Sequence, residues 1–303
     1  DCIIIDEVHR AGAESYQRII DYFKPKFLLG MTASPERTDG YDLYNLFHHN
    51  IVYEIRLEQA LEEDLLCPFH YFGISDLWID GKEINLEKDT ISFSNLSESE
   101  RVDKIIEKIR YFGHSGSRVK GLVFCSNKKE AKELSDAFNL RKFRTISLTG
   151  DDSQEKREDA IARLTGTGAY QGFVDDQLDY IFTVDIFNEG VDIPEVNQVI
   201  MLRQTESPIV FIQQLGRGLR KFEDKEYVVI LDFIGNYSNS YMIPLALSGD
   251  RSYNKDTLRK YVQSGNRIIP GTSTVHFDAI AKKRIFAAID TANLSSAKLI
   301  KEA

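Results

Sequence analysis

Two adjacent carboxylates follow an apolar run at the start of the chain, in the segment Asp6-Glu7-Val8-His9, which comes directly after three isoleucines. Such a run predicts a buried strand, and doubly wound sheets bind ligands at the carboxyl ends of their strands. One carboxylate there can hold a hydrated Mg²⁺ while its neighbour polarises an attacking water. Acidic residues after a strand can also simply mark a turn, so local context leaves both interpretations open.

A second group of small polar residues, Thr32-Ala33-Ser34, follows the next apolar run, at residues 27–31. Hydroxyl groups at a strand end can donate hydrogen bonds to a phosphate or to a neighbouring loop. They can equally cap a following helix. Taken alone, this segment favours the cap.

Two further segments lie in the second half of the chain. Residues 183–194 contain three acids, a glycine and a proline just after an apolar strand, and residues 213–220 read Gln-Gln-Leu-Gly-Arg-Gly-Leu-Arg. Arg217 and Arg220 are three residues apart and therefore share one side of a predicted helix. Two guanidinium groups on one face suit the charge that develops on a transferring phosphoryl group, although they would also suit salt bridges on a solvated helix.

The elements that must position these residues alternate between β-branched runs and amphipathic stretches, which is typical of βαβ units and parallel sheets. The predicted strands are residues 2–5, 27–31, 51–55, 69–74, 121–125, 145–148, 180–184, 198–202 and 227–233. The predicted helices are residues 14–23, 100–112, 128–139, 154–164, 209–219 and 279–289. Residues 78–95 have no period and predict a linker, and no clear unit is predicted between residue 235 and the last helix.

Composition excludes several classes of protein. No apolar run approaches the roughly 18–20 residues that span a bilayer, so a membrane role has no support. Three scattered cysteines without a Cys-x-x-Cys pair argue for a reducing, cytoplasmic location and against a disulfide framework or a zinc site. The net charge of −9 is uneven, because residues 236–303 hold ten Lys/Arg against five Asp/Glu. A nucleic-acid groove depends on such local charge more than on the total.

Taken in order, these segments resemble the motifs of superfamily 2 helicases and translocases of the DEAD/DEAH group. Residues 6–9 are similar to motif II, residues 32–34 to motif III, residues 122–127 to motif IV, residues 183–194 to motif V and residues 213–220 to motif VI. The resemblance covers about residues 1–235. It implies an α/β fold of RecA-like, doubly wound parallel sheets, with ATP and Mg²⁺ as cofactors.

The resemblance also implies a role for each matching residue. Asp6, with Glu7 beside it, would hold Mg²⁺, and Glu7 would orient the hydrolytic water. Coupling between nucleotide and domain interface would fall to His9, Thr32 and Ser34. The nucleotide would be approached from the second domain by Gly190, Asp192, Gln213, Arg217 and Arg220, and the nucleic-acid backbone would be contacted by Ser126, Thr149, Gly150 and Thr183.

Flanking residues narrow the resemblance to a bacterial branch related to type III restriction helicase subunits. The segments that carry it are residues 30–40, 66–73, 231–237 and 269–273. This restriction-like resemblance favours DNA over RNA. Proteins of that branch often join the motor to a phospholipase-D-like nuclease, which implies a possible nuclease domain in the parent chain. The expected domains are a partial first RecA-like domain (1–76), a linker (77–98), a complete second helicase domain (99–235) and the start of a C-terminal extension (236–303).

Motif I is absent, because no Gly-x-x-x-x-Gly-Lys-Ser/Thr occurs in the 303 residues. Without it there is no backbone cradle for the phosphates. We therefore expect a truncated chain that is inactive alone but derives from an ATP-dependent helicase or a double-strand translocase. The alternative is a non-catalytic nucleic-acid-binding or docking module on a helicase scaffold.

Overall fold

The computed structural model describes residues 2–8, 11–32, 43–55, 57–75, 98–184, 193–203, 216, 218–234, 240–248, 254–264 and 272–292. The chain forms two compact units. The first comprises residues 1–56, 251–254 and 293–303, and the second comprises residues 57–250 and 255–292.

The first unit contains a two-stranded parallel sheet. Strand β1 (Cys2–Ile5) pairs with strand β2 (Phe27–Gly30), and helix α1 (Glu14–Phe23) connects them, as the apolar periodicity predicts. A short helix, α2 (Leu43–Leu46), packs against this sheet through the buried Leu43. The predicted strand at residues 51–55 is wrong, since these residues are irregular and Val52 is 88% exposed.

The second unit is built on a seven-stranded sheet in the order β5-β6-β4-β7-β8-β3-β9, and every pairing in it is parallel. Its strands are β3 (Phe69–Ser75), β4 (Gly121–Phe124), β5 (Thr145–Leu148), β6 (Tyr180–Thr183), β7 (Gln198–Met201), β8 (Val228–Ile234) and β9 (Thr274–Phe277). Its helices are α3 (Leu57–Glu62), α4 (Glu98–Phe112), α5 (Lys128–Leu140), α6 (Gln154–Thr165), α7 (Met242–Ser248), α8 (Lys255–Ser264) and α9 (Ala279–Thr291).

Helices cover both faces of this sheet, which explains why β4, β6, β7 and β8 are buried along their whole length. Alternate residues of the strands pack against α4 and α5 in one core. Side-chain caps begin three helices: Asn127 caps α5, Ser153 caps α6 and Asp278 caps α9. The mixed α/β fold with a large parallel sheet agrees with the predicted fold class.

The unit boundaries differ from the expected ones. Strand β3 lies between β8 and β9 in the second unit's sheet, although residues 69–75 were assigned to the first domain. Strand β9 and helices α7–α9 also belong to the second unit, so the sheet continues past residue 235. Hydrogen bonds join these parts, from Phe69 N to Ser273 Oγ (3.2 Å) and from Ser75 N to Asp278 Oδ2 (2.7 Å). The expected linker lies almost entirely outside the described residues.

No helix in the ranges that the structure describes has the length and apolar character needed to cross a membrane.

Candidate functional site

Asp6 and Glu7 form the turn that ends β1. The Glu7 amide donates a hydrogen bond to Asp6 Oδ1 (2.9 Å), and Glu7 has φ 50°, in the left-handed region that non-glycine residues seldom adopt. Asp6 is exposed, and Glu7 is partly buried with its Oε2 atom screened from solvent. Such backbone strain concentrates at functional sites, which motivates the hypothesis that Glu7 has a role beyond the turn.

Thr32 lies at the same edge of this strand pair. Two backbone hydrogen bonds continue the pairing beyond the strands, from Met31 N to Ile5 O and from Val8 N to Met31 O, each 2.9 Å long. The structure therefore brings the two carboxylates and Thr32 to neighbouring strand ends. His9 and Ser34 lie outside the described residues.

The second unit brings the other predicted backbone-contacting residues together at the carboxyl edge of its sheet. Phe124 and Leu148 are both in register with Thr183, so the ends of β4 and β5 flank the end of β6. Neighbouring strands lie about 4.8 Å apart. Ser126 and the pair Thr149–Gly150 follow those two flanking strands directly, and this convergence is the one expected for a parallel sheet.

Thr183 is fully buried at this edge, with 0% of its surface exposed. Its carbonyl accepts a hydrogen bond from Cys125 N (2.9 Å), but its hydroxyl makes none with any described residue. Buried hydroxyl groups almost always have a partner, so this one is an exception that requires a reason. Gly190 and Asp192, in the segment that follows β6, lie outside the described residues.

The turn after β4 is held by a network of charged and polar groups. Ser126 N donates to Glu130 Oε2 (2.7 Å), and the other oxygen of Glu130 is paired with Arg101. Asn127 Oδ1 accepts from Glu130 N (2.9 Å) and so caps α5. Burial first, and then the nearby Glu130 carboxylate, raise the pKa of the Cys125 thiol well above its usual range. Cys125 is therefore a protonated core residue rather than a nucleophile.

The turn after β5 is equally well held. Thr149 N donates to Asp152 Oδ2 (2.7 Å), and Arg157 donates to the carbonyl of Gly150 (2.8 Å). Lys156 Nζ lies 2.5 Å from Asp152 Oδ1. The hydrogen bond from Lys156, followed by that from the Thr149 amide, lowers the pKa of Asp152, which stays ionised. These cations were not among the predicted site residues, although the serine cap and the lysine–aspartate spacing of four indicate this local arrangement.

Arg220 is exposed and does not lie at the carboxyl edge of the second sheet. The neighbouring Leu219 carbonyl accepts a hydrogen bond from Cys67 N (2.7 Å), just before β3 begins. A Cβ atom at Gly218 would contact Val228, the first residue of β8. Arg220 is thus beside the amino ends of the strands, at the edge opposite Thr183. Gln213 and Arg217 lie outside the described residues.

Lys225 ties this segment to the rest of the unit. Its side chain is 7% exposed, and its ammonium group donates to the carbonyls of Val196 and Gly218 (both 3.1 Å) and to that of Pro194. Three carbonyls suit the three protons of an ammonium group. Lys225 therefore fixes the chain around Arg220 to the chain that follows the acidic segment, a role that sequence analysis did not identify.

A buried carboxylate, Asp232, lies within β8 and was also missed. It is 2% exposed and accepts a hydrogen bond from the Tyr71 hydroxyl (2.5 Å). Burial raises the pKa of Asp232 to about 7, while the hydrogen bond from Tyr71 acts in the opposite direction. The pair joins β8 to β3, and β8 is three strands away from β6 in the sheet. The only cue in the sequence is one charged residue inside an apolar strand.

A metal site built wholly from side chains is not found in the described part of the chain, where no group of three or more His, Cys, Asp or Glu could hold an ion. His70 accepts or donates a hydrogen bond with Thr274 Oγ1 (2.9 Å), and burial lowers its pKa, so its role is structural. The exposed Asp6 carboxylate does suit Mg²⁺, which binds few protein oxygens and keeps waters and substrate phosphates as its other ligands.

Two families match the sequence. The family described as helicase conserved C-terminal domain matches residues 100–222, and the family described as type III restriction enzyme, res subunit, matches residues 1–37. The first match contains Ser126, Thr149 and Thr183, and the second contains Asp6 and Glu7.

Curated relatives match most of the chain. IRC3 of Saccharomyces cerevisiae is 27% identical over 260 residues, covering 82% of this chain and 36% of the relative. The DNA 3'-5' translocase XPB2 of Sulfurisphaera tokodaii is 26% identical, covering 75% and 57%. The type I restriction enzyme EcoAI endonuclease subunit of Escherichia coli is 25% identical, covering 77% and 31%. The chain thus spans about a third to just over a half of the length of these relatives.

Among solved structures, the ATP-dependent Type ISP restriction-modification enzyme LlaBIII bound to DNA has a TM-score of 0.56. The match covers all of this chain and 23% of that one, at 17% identity, so it shows a shared fold alone. That fold is the parallel α/β fold of RecA-like domains.

Proposed function

We propose that this chain is part of an ATP-dependent DNA translocase and that it binds the DNA backbone along the carboxyl edge of the second sheet. The chain belongs to the superfamily 2 helicases that are related to restriction-enzyme subunits. The observation that carries the proposal is the convergence of Ser126, Thr149 and the buried hydroxyl of Thr183 at adjacent strand ends. Because Thr183 is fully buried, a phosphate oxygen would give its hydroxyl the acceptor it lacks among the described residues only once this edge opens locally around the bound DNA.

Phosphate contacts position a nucleic acid without reading its sequence, which suits a motor that moves along any track. The edge also offers the cations Lys128, Lys156 and Arg157, whose side chains can donate hydrogen bonds to phosphate. DNA is proposed over RNA because the named relatives include a DNA translocase and a restriction-enzyme subunit.

The first unit supplies the nucleotide-facing carboxylates in this proposal. Asp6 would hold Mg²⁺, and the partly buried Glu7 would orient a water molecule toward the γ-phosphate. Bound Mg²⁺ with ATP would supply neutralisation of phosphate charge. Gln213, Arg217 and Arg220, together with Gly190 and Asp192, are proposed to face the nucleotide, and His9, Thr32 and Ser34 to couple it to domain movement.

The chain alone is not expected to hydrolyse ATP, since its 303 residues lack a phosphate-binding loop. That absence also supports the second candidate function, a binding module on a helicase scaffold. DNA-stimulated hydrolysis by a protein that contains this chain together with such a loop, lost in Glu7→Gln, would support the motor. A folded protein of that kind without hydrolysis would support the module.

Binding itself is tested by fluorescence anisotropy with labelled single-stranded DNA, duplex DNA and RNA. We expect Thr183→Val, which keeps the side-chain shape, to weaken DNA binding about fivefold or more, because a hydrogen bond to a charged phosphate is lost. Thr183→Ser keeps the hydroxyl and serves as the matched control. Equal affinities for the wild type and Thr183→Val would refute this site.

A further inference from the structure

An ion pair joins the two turns at the proposed DNA-binding edge. Lys128 is the first residue of α5, directly after the β4 turn, and its ammonium group is paired with the carboxylate of Asp151 in the β5 turn. The pair spans the end of β6, which lies between those strands. Both side chains are largely exposed, Lys128 at 57% and Asp151 at 78%.

The two neighbouring aspartates of the β5 turn differ in how firmly they are held. Asp152 accepts hydrogen bonds from the amide and the hydroxyl of Thr149 (2.7 and 3.3 Å) and from Lys156 (2.5 Å). Within the described part of the chain, the carboxylate of Asp151 bonds to Lys128 alone. Asp152 therefore belongs to the frame of the turn, whereas Asp151 can swing away without breaking it.

Lys128 is also in a position that attracts anions. It begins a helix of 13 residues, whose amino end carries a partial positive charge. Exposed ion pairs contribute little to stability, so the pair with Asp151 is readily exchanged for another anion. A DNA phosphate carries the same charge as the Asp151 carboxylate, and its contact with a lysine releases condensed counterions, which favours the exchange.

We propose that the Asp151 carboxylate stands where a DNA phosphate binds Lys128, so that Asp151 is an internal competitor that limits the affinity of this edge for DNA. This inference rests on the proposed function. It predicts that the wild type holds DNA less tightly than its cations allow. The same competition returns Lys128 to its internal partner when DNA leaves.

The test is the affinity of the chain for a labelled single-stranded oligonucleotide at several salt concentrations. Asp151→Asn is expected to tighten binding about two- to fivefold, the range that loss of an exposed ion pair supports. It should also steepen the salt dependence, by up to about 0.7 in the slope of log affinity against log salt. Asp175→Asn is the matched control, because it removes the same charge from an exposed position just before β6, at the opposite edge of the sheet.

A double substitution identifies the route of the effect. In a Lys128→Met background, Asp151→Asn is expected to change affinity no more than Asp175→Asn does, because no cation remains to be released. Two outcomes would refute the role of Asp151 as a competitor while leaving the proposed function intact. In the first, Asp151→Asn has no more effect than Asp175→Asn in the otherwise wild-type chain. In the second, Asp151→Asn still tightens binding when Lys128 is absent. If neither the wild type nor any variant binds DNA at about 50 mM salt, where phosphate contacts are strong, both proposals are overturned.

Discussion

Asp232 is expected to make the stability of the second unit depend on pH, and Asp232→Asn is expected to remove that dependence. Its carboxyl group is buried beneath Tyr71, and burial raises its pKa from the ordinary 3.8 to about 7. Below pH 4 the group is protonated in both the folded and the unfolded chain. Between pH 4 and pH 7 the unfolded chain releases the proton while the folded chain retains it, so stability falls as pH rises.

The size of the effect follows from the two pKa values. Each unit of pH between them lowers the free energy of unfolding by about 1.4 kcal/mol, and above the folded pKa the decrease stops. From pH 6 to pH 8 the group passes through its folded pKa, and the expected loss is about 1.4 kcal/mol. Asparagine has nearly the same shape and accepts the Tyr71 hydrogen bond through its amide oxygen, but it does not titrate.

The assay is urea unfolding at pH 6 and pH 8, followed by circular dichroism. Other groups contribute equally to the wild type and the variant, so the informative quantity is the difference between them. The wild type should lose about 1.4 kcal/mol more than Asp232→Asn over this interval, and the exposed Asp175→Asn should behave like the wild type. If the wild type and Asp232→Asn lose the same stability, then Asp232 does not titrate near neutrality and the reasoning fails.

Three other substitutions test the packing that positions the site. Lys225→Met leaves the carbonyls of Pro194, Val196 and Gly218 without their donor. It should lower the free energy of unfolding in urea by about 3 kcal/mol or more, whereas an unchanged midpoint would show that the ammonium is dispensable. Gly30→Ala places a Cβ against the Phe47 ring. Thermal unfolding should therefore show a loss of stability of about 1–3 kcal/mol from overpacking. Full retention of stability would mean that the ring moves freely. Asp278→Ala removes the α9 cap and the contacts to Ser75, and urea unfolding should show a loss of about 1–2 kcal/mol, with no change contradicting the role of this cap.

Most of the second unit's core elements were predictable because local pattern decides them. Strands β4, β6 and β7 are short apolar runs, and α5 and α6 have serine or asparagine caps with helical periodicity. The convergence of Ser126, Thr149 and Thr183 is a property of the sheet, because strands that run in parallel end at one edge. The family resemblance added roles for these residues, and those roles remain proposals.

The elements that were missed depend on partners far away in sequence. The short strand β9 pairs with β3, roughly two hundred residues earlier, and no local period reveals that pairing. The run at residues 51–55 predicted a strand, yet it is irregular and pairs with no strand in the described part of the chain.

The same limit applies to side chains. Asp232 meets Tyr71 across 161 positions, and Lys225 binds carbonyls from two other segments. Neither contact has a recognisable spacing in the sequence. A charged residue in an apolar strand indicates that a partner exists, but only the folded sheet identifies that partner.

Hydrogen–deuterium exchange of the chain with and without single-stranded DNA tests the central claim most directly, because it locates the bound surface. The account predicts slower exchange in peptides that contain residues 125–128, 149–152 and 183–184, and unchanged exchange in residues 166–176, at the opposite edge of the sheet. Protection at residues 166–176 with none at the three strand ends would contradict it.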